Sequence, residues 1–575
     1  MSGASGAAIG GRAGCGRVPA LVLVALFLVT SLGAFSFFKL NLGANPTLKH
    51  DDYEYTYPSF NLARHGEFGS PYYGNPLNVA HRTYDLTVYY YAPVHAALIR
   101  VFGDDVTSIP LANTLHFALM GALGLVYFVA RRQWLMGVFF AAALWTDPMA
   151  LEIYRTGRPE VTCGFGILVA TLAIWDRWAE HNRARAVLSI AAAGGVAAAC
   201  SHSAGVFVGI PLFLFLIATN LRALLTTLDG VALVVPFLSV PALFAYFTVT
   251  DSWQHIAAQM ATNTYNVSNP ARIMYWLPEQ FAGVVSAYRT TNLWLLVPGV
   301  ALAVGLRVAS RRRPELWTAA IAQAVRGLVF FGVAFVAGFW MQCVFMKPLH
   351  SYSLIYKSLY FLSLASALTI VVRALQLVVP APLRRGVVAA ALLLVSWHVY
   401  DSLFLGARLR WMRPGADYRA FGRELTTHLR MAGVAPTDTV YTPGPFASSV
   451  ARDVNVLAHP AEKYYWSGIP ASFHKAAAAL TVAEGVKESR ASYVRDLLCL
   501  DPQWVVRWED DESYLDTFGE FLDTFPNGDP RMQIRLADSY ESSTTYTGRI
   551  WIYRVTTDRA YAASLERGAC VPPRK

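Results

Sequence analysis

The residues best suited to chemistry in this chain form an early acidic stretch, His50-Asp51-Asp52-Tyr53-Glu54-Tyr55. It follows closely on the first apolar run, at residues 18–40. Three carboxylates beside a membrane exit are unfavourable unless water, a cation or a bound ligand meets them. Such a carboxylate can take a proton from an acceptor hydroxyl. The alternative is a solvated loop that begins with a helix cap.

The composition is that of a membrane protein. Of 575 residues, 55% are apolar and 15% are charged, and the mean hydropathy is +0.36. These values exclude an ordinary soluble enzyme. Apolar runs of about 20 residues recur along the chain, and each is long enough to cross a hydrocarbon core. The first run is longer than the apolar part of a typical signal peptide and lacks a clear cleavage site, so we expect it to be retained.

The net charge of +10 comes from arginines at the ends of apolar runs. That distribution is typical of the positive-inside rule and of contact with anionic lipid, so nucleic-acid binding is not expected. The six cysteines contain no C-x-x-C pair, which argues against a zinc site or a disulfide scaffold. Cys499 and Cys570 could form a disulfide if the C-terminal part lies outside the cytoplasm.

The apolar runs predict a polytopic α-helical membrane protein with about eleven crossings. Residues 1–17 are expected to be a disordered cytoplasmic tail. A further apolar stretch at 86–102 is assigned to the membrane surface, because a crossing there would place the Arg131-Arg132 turn outside, against the charge rule. The predicted spans are 18–40, 106–130, 134–153, 160–176, 186–203, 205–221, 230–250, 291–309, 327–346, 353–375 and 386–406.

The first outer loop, residues 41–105, carries a second helical pattern. Tyr57, Phe60 and Ala63 recur at helical spacing, which predicts a surface helix over 53–65 with Pro58 in its first turn. With the stretch at 86–102, this gives two juxtamembrane helices. The membrane part is therefore read as residues 18–408.

After residue 408 the apolar runs shorten to strand length. An amphipathic helix at 417–431 is followed by candidate strands at 439–442, 455–458, 503–507, 533–537 and 549–554. This pattern predicts a soluble α/β domain over 409–575, and the odd number of spans places it outside the cytoplasm. It contains no G-x-G-x-x-G, P-loop or G-x-S-x-G motif, so nothing marks a nucleotide site.

Polar residues near the spans gather on the predicted outer side. Each has a structural interpretation: Asp147 could pair with Arg155 or Arg158, Glu160 could pair with Arg158, and Lys347 could reach lipid headgroups. Together, carboxylates on one loop and cations on others suit a reaction with a phosphate leaving group. The set comprises Asp51, Asp52, Glu54, Asp85, Asp147, Arg155, Arg158, Glu160, His202, Lys347, His350 and Lys357.

The acidic stretch also carries a resemblance. Asp51-Asp52-x-x-Tyr55, with Gly66 fifteen residues after Asp51, resembles the first outer loop of class C glycosyltransferases. These include the protein O-mannosyltransferases and the lipid A aminoarabinose transferases. In that superfamily an acidic pair precedes one surface helix that ends in Leu-x-x-x-Gly and another that is closed by Phe-Gly. Here Tyr89-Tyr90-Tyr91-Ala92-Pro93 and Phe102-Gly103 match the second helix, and Arg158-Pro159-Glu160 resembles a second outer loop.

The resemblance implies an enzyme that transfers a sugar from a polyprenyl-phosphate-linked donor in a single inverting displacement. It makes Asp51 the general base, while Asp52 would orient the acceptor or hold a divalent cation, with Asp85 or His350 as further possible ligands. Because Glu54 stands where aminoarabinose transferases often have arginine, phosphate contact would fall to Arg155, Arg158, Lys347 and Lys357. The expected cavity residues are Glu54, Tyr55, Asp85, Tyr91, Asp147, Glu160, His202, His350 and Tyr352.

The expected partners are a polyprenyl-phosphate sugar donor, membrane lipid, and a glycan, lipid or protein acceptor. The expected location is the cytoplasmic (inner) membrane. A multi-span transporter or lipid flippase is the alternative, but it needs ionisable groups deep in the spans and broken segments repeated in two halves. A glycan polymerase or ligase would usually carry its large outer loop late in the chain. A partner-binding module on an inert anchor would not need so many spans.

Overall fold

The structure is a computed structural model. It describes residues 19–40, 50–66, 89–104, 106–179, 184–219, 221–222, 230–246, 293–345, 350–400, 418–443, 446, 450, 453–459, 502–509, 532–544 and 548–558.

The membrane part is helical, as predicted. Among the described residues, five helices (α1, α4, α7, α12 and α13) are long and apolar enough to cross a membrane, and shorter apolar helices accompany them. The count of eleven crossings stays a prediction. The helices are α1 (Ala20–Leu40), α2 (His50–His65), α3 (Tyr91–Phe102), α4 (Leu111–Ala130), α5 (Trp134–Thr146), α6 (Pro148–Ile153), α7 (Glu160–Ala179), α8 (Arg185–Ala199), α9 (Ser203–Thr219), α10 (Gly230–Tyr246), α11 (Leu293–Ala309), α12 (Ala319–Phe345), α13 (Leu354–Val378) and α14 (Arg384–Tyr400).

Two proline positions differ from expectation. The run at 134–153 is broken at Asp147, whose carboxylate caps α6 with Pro148 at its first position. Proline suits a helix start because it has no N–H to donate. Pro58 lies inside α2 rather than in its first turn, because the helix begins at His50, earlier than the predicted 53.

Helix α13 is buried along most of its length among the membrane helices. Tyr356 and Tyr360 pack against Phe335 of α12, with ring centroids 6.0 and 5.1 Å apart. On another side, α7 approaches so closely that a Cβ on Gly164 would lie 2.7 Å from the Leu354 carbonyl oxygen. The lack of a side chain at Gly164 therefore allows the beginning of α7 to lie beside the beginning of α13.

Helices α2 and α3, which the sequence assigns to the membrane surface and which we call the surface helices, are hydrogen-bonded to each other. Arg64 Nε of α2 donates to Asp104 Oδ2, just beyond α3, at 2.7 Å, and Arg100 of α3 donates to the Leu62 carbonyl at 2.9 Å. Gly66 ends α2 with a φ of +77° and returns its N–H to the Leu62 carbonyl. Only glycine adopts this left-handed conformation without strain, so the predicted Leu-x-x-x-Gly ending is a helix C-cap.

In its described residues, the C-terminal part carries a helix and a mixed sheet. Helix α15 (Tyr418–Met431) precedes strands β1 (Thr439–Pro443), β2 (Asn455–His459), β3 (Trp504–Trp508), β4 (Met532–Ser542) and β5 (Gly548–Thr557). The strand order is β2-β1-β3-β5-β4. Strand β1 pairs in parallel with β2 and β3, while β5 pairs antiparallel with β3 and β4. The predicted strands are therefore confirmed, whereas the domain bounds and the side of the membrane stay predictions.

One apolar cluster joins this C-terminal part to the surface helices. Helix α15 contributes buried side chains from one face, and α2, α3 and the segment before α4 contribute the opposing ones. We call this cluster the shared core. It includes Phe60, Ile99, Ile109, Phe421, Leu425 and Leu429, each at most 4% exposed.

Candidate functional site

The backbone of the turn between α6 and α7, residues 154–159, is held by side chains from the surface helices. We call it the Arg158 turn. Asp52 Oδ1 of α2 accepts a hydrogen bond from the Gly157 N–H at 2.9 Å. Tyr91 of α3 is fully buried, and its hydroxyl donates to the Gly157 carbonyl at 2.8 Å. Both backbone polar groups of Gly157 are therefore hydrogen-bonded, which matches the rule for buried backbone.

Glycine at position 157 is required by the closeness of α2. A Cβ there would lie 2.3 Å from the Asp52 carbonyl oxygen and 2.8 Å from Thr56 Cγ2. Thr56 Oγ1 itself donates to the Asp52 carbonyl at 2.7 Å. The acidic start of α2 is thus in van der Waals contact with the Arg158 turn.

A third side chain reaches the turn from α4. Asn113 Nδ2 donates to the Thr156 carbonyl at 2.7 Å and also to the Arg158 carbonyl. Asn113 is fully buried. Sequence reasoning missed this residue, although an asparagine at the beginning of an apolar run was a visible signal.

Arg158 and Glu160 form the ion pair considered from the sequence. Arg158 Nε lies 2.8 Å from Glu160 Oε1; the side chain of Arg158 is 15% exposed and that of Glu160 is fully buried. Glu160 begins α7, where the helix dipole favours a carboxylate. Its second oxygen, Oε2, is buried and has no hydrogen-bond partner among the described residues.

Aromatic side chains from two further elements complete this region. The Tyr55 hydroxyl of α2 lies 2.8 Å from Nε2 of His202, which follows α8. The His202 ring is 6.0 Å from that of Tyr352, which belongs to the short 3-10 turn His350–Ser353 before α13. The Arg158 guanidinium carbon lies 5.9 Å from the Tyr352 ring centroid. Four segments far apart in sequence therefore meet at one place.

A second ion pair lies nearby and is completely buried. Lys357 Nζ of α13 is 2.7 Å from Asp147 Oδ1, and neither side chain is exposed. The same oxygen accepts the Ala150 N–H at 2.9 Å, and Asp147 Oδ2 has no hydrogen-bond partner in the part of the chain that the structure describes. Asp147 thus pairs with Lys357 rather than with Arg155 or Arg158.

The structure brings together seven of the residues predicted for the site: Asp52, Tyr55, Tyr91, Arg158, Glu160, His202 and Tyr352. Arg155 is buried beside Tyr154, to whose hydroxyl its Nε donates at 3.4 Å. Asp51, Glu54 and His350 are placed by backbone only, in α2 and in the turn before α13. Asp85 and Lys347 lie outside the described residues, as do Cys499 and Cys570.

The described residues contain no group of three or more His, Cys, Asp and Glu side chains arranged to hold a metal ion. Asp52, one of the predicted ligands, has one carboxylate oxygen bound to the Gly157 N–H. A divalent cation therefore stays a prediction.

Burial shifts the titration of two groups next to the site. The buried environment of His95 on α3 lowers its pKa to about 4, against a smaller opposing effect of the Ser108 carbonyl bonded to it. Burial likewise raises the pKa of Tyr154, although Arg155 beside it acts in the opposite direction. Both side chains are therefore neutral at physiological pH.

The chain resembles solved structures, whereas no family model and no curated protein sequence matches it. ArnT from Cupriavidus metallidurans bound to undecaprenyl phosphate superposes with a TM-score of 0.53 at 15% identity, over 93% of this chain and 98% of that one. The same protein in the apo state gives a TM-score of 0.52 at 14% identity, with the same coverage. ArnT is a lipid A aminoarabinose transferase of class C. The fold expected from the resemblance is therefore confirmed: the chain has the fold of ArnT over nearly its whole length.

Proposed function

We propose that this protein is an integral membrane glycosyltransferase that moves a sugar from a polyprenyl-phosphate-linked donor to an acceptor on the extracytoplasmic face. One observation carries the proposal: the acidic start of α2, the Arg158 turn, His202 and Tyr352 converge within the fold of ArnT, a protein solved with undecaprenyl phosphate. A base and a cation supplied by different segments of one site are what displacement of a phosphate leaving group needs.

The proposed reaction is a single displacement with inversion. Asp51 takes the proton of the acceptor hydroxyl, and the acceptor oxygen attacks the anomeric carbon of the sugar. The bond from that carbon to the phosphate oxygen breaks, and the polyprenyl phosphate leaves with the electron pair. Arg158, which is 15% exposed, stabilises the charge on the departing phosphate.

Asp52 supports this reaction through the backbone. Its carboxylate fixes the Gly157 peptide, so Asp51, one residue earlier on α2, is carried by a helix that rests on the Arg158 turn. Positioning of this kind contributes to rate by holding the reacting groups in a productive geometry. In this proposal Asp52 acts on the site through Gly157 rather than through a metal.

The buried cations fit the phosphate role less well than Arg158 does. Lys357 is fully buried and bonded to Asp147, so phosphate contact would require that pair to break. Arg155 is 3% exposed. We therefore assign phosphate binding to Arg158 first.

The Asp147–Lys357 pair is also what favours the alternative, a transporter or lipid flippase. Ionisable side chains inside a helical bundle commonly mark transport pathways. Here, however, Asp147 caps α6 and Lys357 lies in the first turn of α13, so both are near helix ends. This placement favours the enzyme.

The test is sugar transfer in membranes that contain the expressed protein. Labelled polyprenyl-phosphate sugars are supplied, and release of the sugar onto acceptors is followed. We expect Asp51→Asn to lower transfer by about 100-fold or more, since a general base contributes about 10²–10⁴ to rate. Glu315→Gln, the same exchange at an exposed turn outside the site, is the matched control.

Two results would count against the proposal. Full activity of a normally expressed Asp51→Asn protein would remove the catalytic assignment. Movement of intact donor between leaflets, without cleavage of the bond from sugar to phosphate, would favour the flippase instead.

A further inference from the structure

A chain of buried hydrogen bonds leads from the beginning of α3 to the Arg158 turn. The Tyr90 hydroxyl lies 3.2 Å from His116 Nε2. His116 Nδ1 lies 2.7 Å from the Ala112 carbonyl and 3.0 Å from Thr162 Oγ1. Thr162 Oγ1 lies 3.5 Å from Asn113 Oδ1, and Asn113 Nδ2 donates to the turn. Three of its members, His116, Thr162 and Asn113, are at most 1% exposed.

The donors and acceptors of this chain fit one orientation. A carbonyl can only accept, so the proton of a neutral His116 ring is on Nδ1, facing Ala112, and Nε2 accepts from the Tyr90 hydroxyl. The Nδ1 proton is then shared between the Ala112 carbonyl and Thr162 Oγ1, and Thr162 donates its own proton to Asn113 Oδ1. This leaves the Asn113 amide group facing the turn, where it has two carbonyls to donate to.

We propose that Asn113 is a positioning residue for the Arg158 turn, with its carboxamide held in the donating orientation by Thr162 and His116. The two carbonyls that it binds, those of Thr156 and Arg158, flank Gly157 on either side. Asn113 thus holds the turn from α4, while Asp52 and Tyr91 hold it from the surface helices. The effect of Asn113 on substrate rests on the proposed function, but its effect on the turn does not.

The geometry gives Asn113 a role that a carboxylate cannot take over. In Asn113→Asp the side chain keeps its size, but its donor group is replaced by an oxygen that faces two carbonyl oxygens. Both carbonyls lose the donor that Asn113 supplies, and the loss of buried hydrogen bonds is unfavourable. The Arg158 turn should then open more often while the rest of the fold remains.

The first experiment measures amide hydrogen exchange of residues 154–160 in the full chain in detergent. We expect Asn113→Asp to accelerate exchange in this segment by about tenfold or more, as the loss of buried hydrogen bonds predicts. Gln376→Glu makes the same amide-to-carboxylate exchange on a partly exposed residue at the other end of α13, and should leave the segment unchanged. Unaltered exchange in folded Asn113→Asp would overturn the proposal.

A milder pair of variants tests the chain behind Asn113 and remains informative if Asn113→Asp does not fold. Thr162→Val removes the hydroxyl at nearly constant volume, whereas Thr162→Ser keeps it. We expect faster exchange of residues 154–160 in Thr162→Val and near-normal exchange in Thr162→Ser. Equal behaviour of the two variants would show that the hydroxyl does not orient Asn113.

The second experiment tests whether the Arg158 turn affects substrate binding, and it measures the binding of undecaprenyl phosphate as the probe. We expect Asn113→Asp to weaken its binding by about tenfold when Arg158 is present. In an Arg158→Gln protein the same substitution should have little further effect, because Asn113 acts through Arg158. Additive losses would overturn this link. If the unmodified protein does not bind undecaprenyl phosphate, the proposed polyprenyl-phosphate-linked donor is contradicted. The exchange experiment still tests the role of Asn113 in that case.

Discussion

The Asp52 carboxylate and the Gly157 N–H are 2.9 Å apart, although 105 residues separate them in sequence. This bond joins the acidic start of α2 to the turn that carries Arg155 and Arg158. A carboxylate bound to backbone in this way has an identifiable structural role. That role can be separated from metal binding or acceptor orientation by substitution.

Asp52→Asn and Asp52→Ala are expected to differ. Asparagine keeps an oxygen that can accept from the Gly157 N–H, whereas alanine leaves that buried donor without a partner, at about 1–3 kcal/mol. We therefore expect Asp52→Ala to lose most sugar transfer and to unfold at a lower temperature. Asp52→Asn should retain sugar transfer within a few fold and should unfold near the temperature of the unmodified protein. Equal, near-complete loss in two normally folded variants would instead indicate that the negative charge of Asp52 is needed.

Gly157→Ala should separate α2 from the turn. The new methyl group would lie 2.3 Å from the Asp52 carbonyl oxygen, far inside van der Waals contact, so one of the two backbones must move. We expect loss of sugar transfer and a lower unfolding temperature. Gly194→Ala in α8 is the control, because nothing lies within 4 Å of its Cβ position. Wild-type behaviour of Gly157→Ala would show that the contact is not required.

The Asp147–Lys357 pair predicts a pattern of stabilities. Removal of either partner leaves an uncompensated buried charge, which destabilises by about 3–5 kcal/mol. We expect Asp147→Asn and Lys357→Met each to lower the unfolding temperature in detergent, and the double variant to recover much of the loss. A direct phosphate role for Lys357 predicts something else: Lys357→Met would lose donor binding while keeping its stability.

His95 predicts a loss of stability in mild acid. Its pKa is about 4 in the folded protein, because burial disfavours the charged ring, and 6.5 in the unfolded chain. The unfolded state therefore binds more protons between these values, so stability falls as pH decreases from 6.5 to 4, by about 3 kcal/mol in total. Unfolding temperatures at pH 7.5, 5.5 and 4.5, compared with those of His95→Gln, measure this. The same pH dependence in both proteins would contradict a lowered pKa.

Much of the secondary structure could be predicted from residue patterns. Apolar runs locate the membrane helices because the residues of a span face either lipid or the protein interior, and both environments favour apolar side chains. The strands β1 to β5 fall on the short apolar runs for a similar reason, since strand residues are half-buried. The break at Asp147 was missed because hydropathy averages over a cap and a proline, although the pair Asp147-Pro148 was a local signal.

The contacts of the site could be predicted less well. Asp147 and Lys357 meet across 210 residues, and nothing local distinguishes Lys357 from a lysine that reaches the headgroups. The contact of Gly157 with α2 could not be predicted from the sequence either, because glycine is required there only by the close approach of two backbones. The grouping of Arg158, His202 and Tyr352 followed from the predicted outer positions, while their mutual distances required the structure.

The shared core has a consequence for the biosynthesis of the protein. Phe60 and Ile99 are synthesised among the first hundred residues, but Phe421 and Leu425, in the same core, emerge after nearly three quarters of the chain. Until α15 arrives, the surface helices that carry Asp51 must keep an apolar face uncovered. The covering of this face must therefore wait until nearly three quarters of the chain has been made, and a chain truncated before α15 would present that face to proteases and chaperones rather than act as a smaller enzyme.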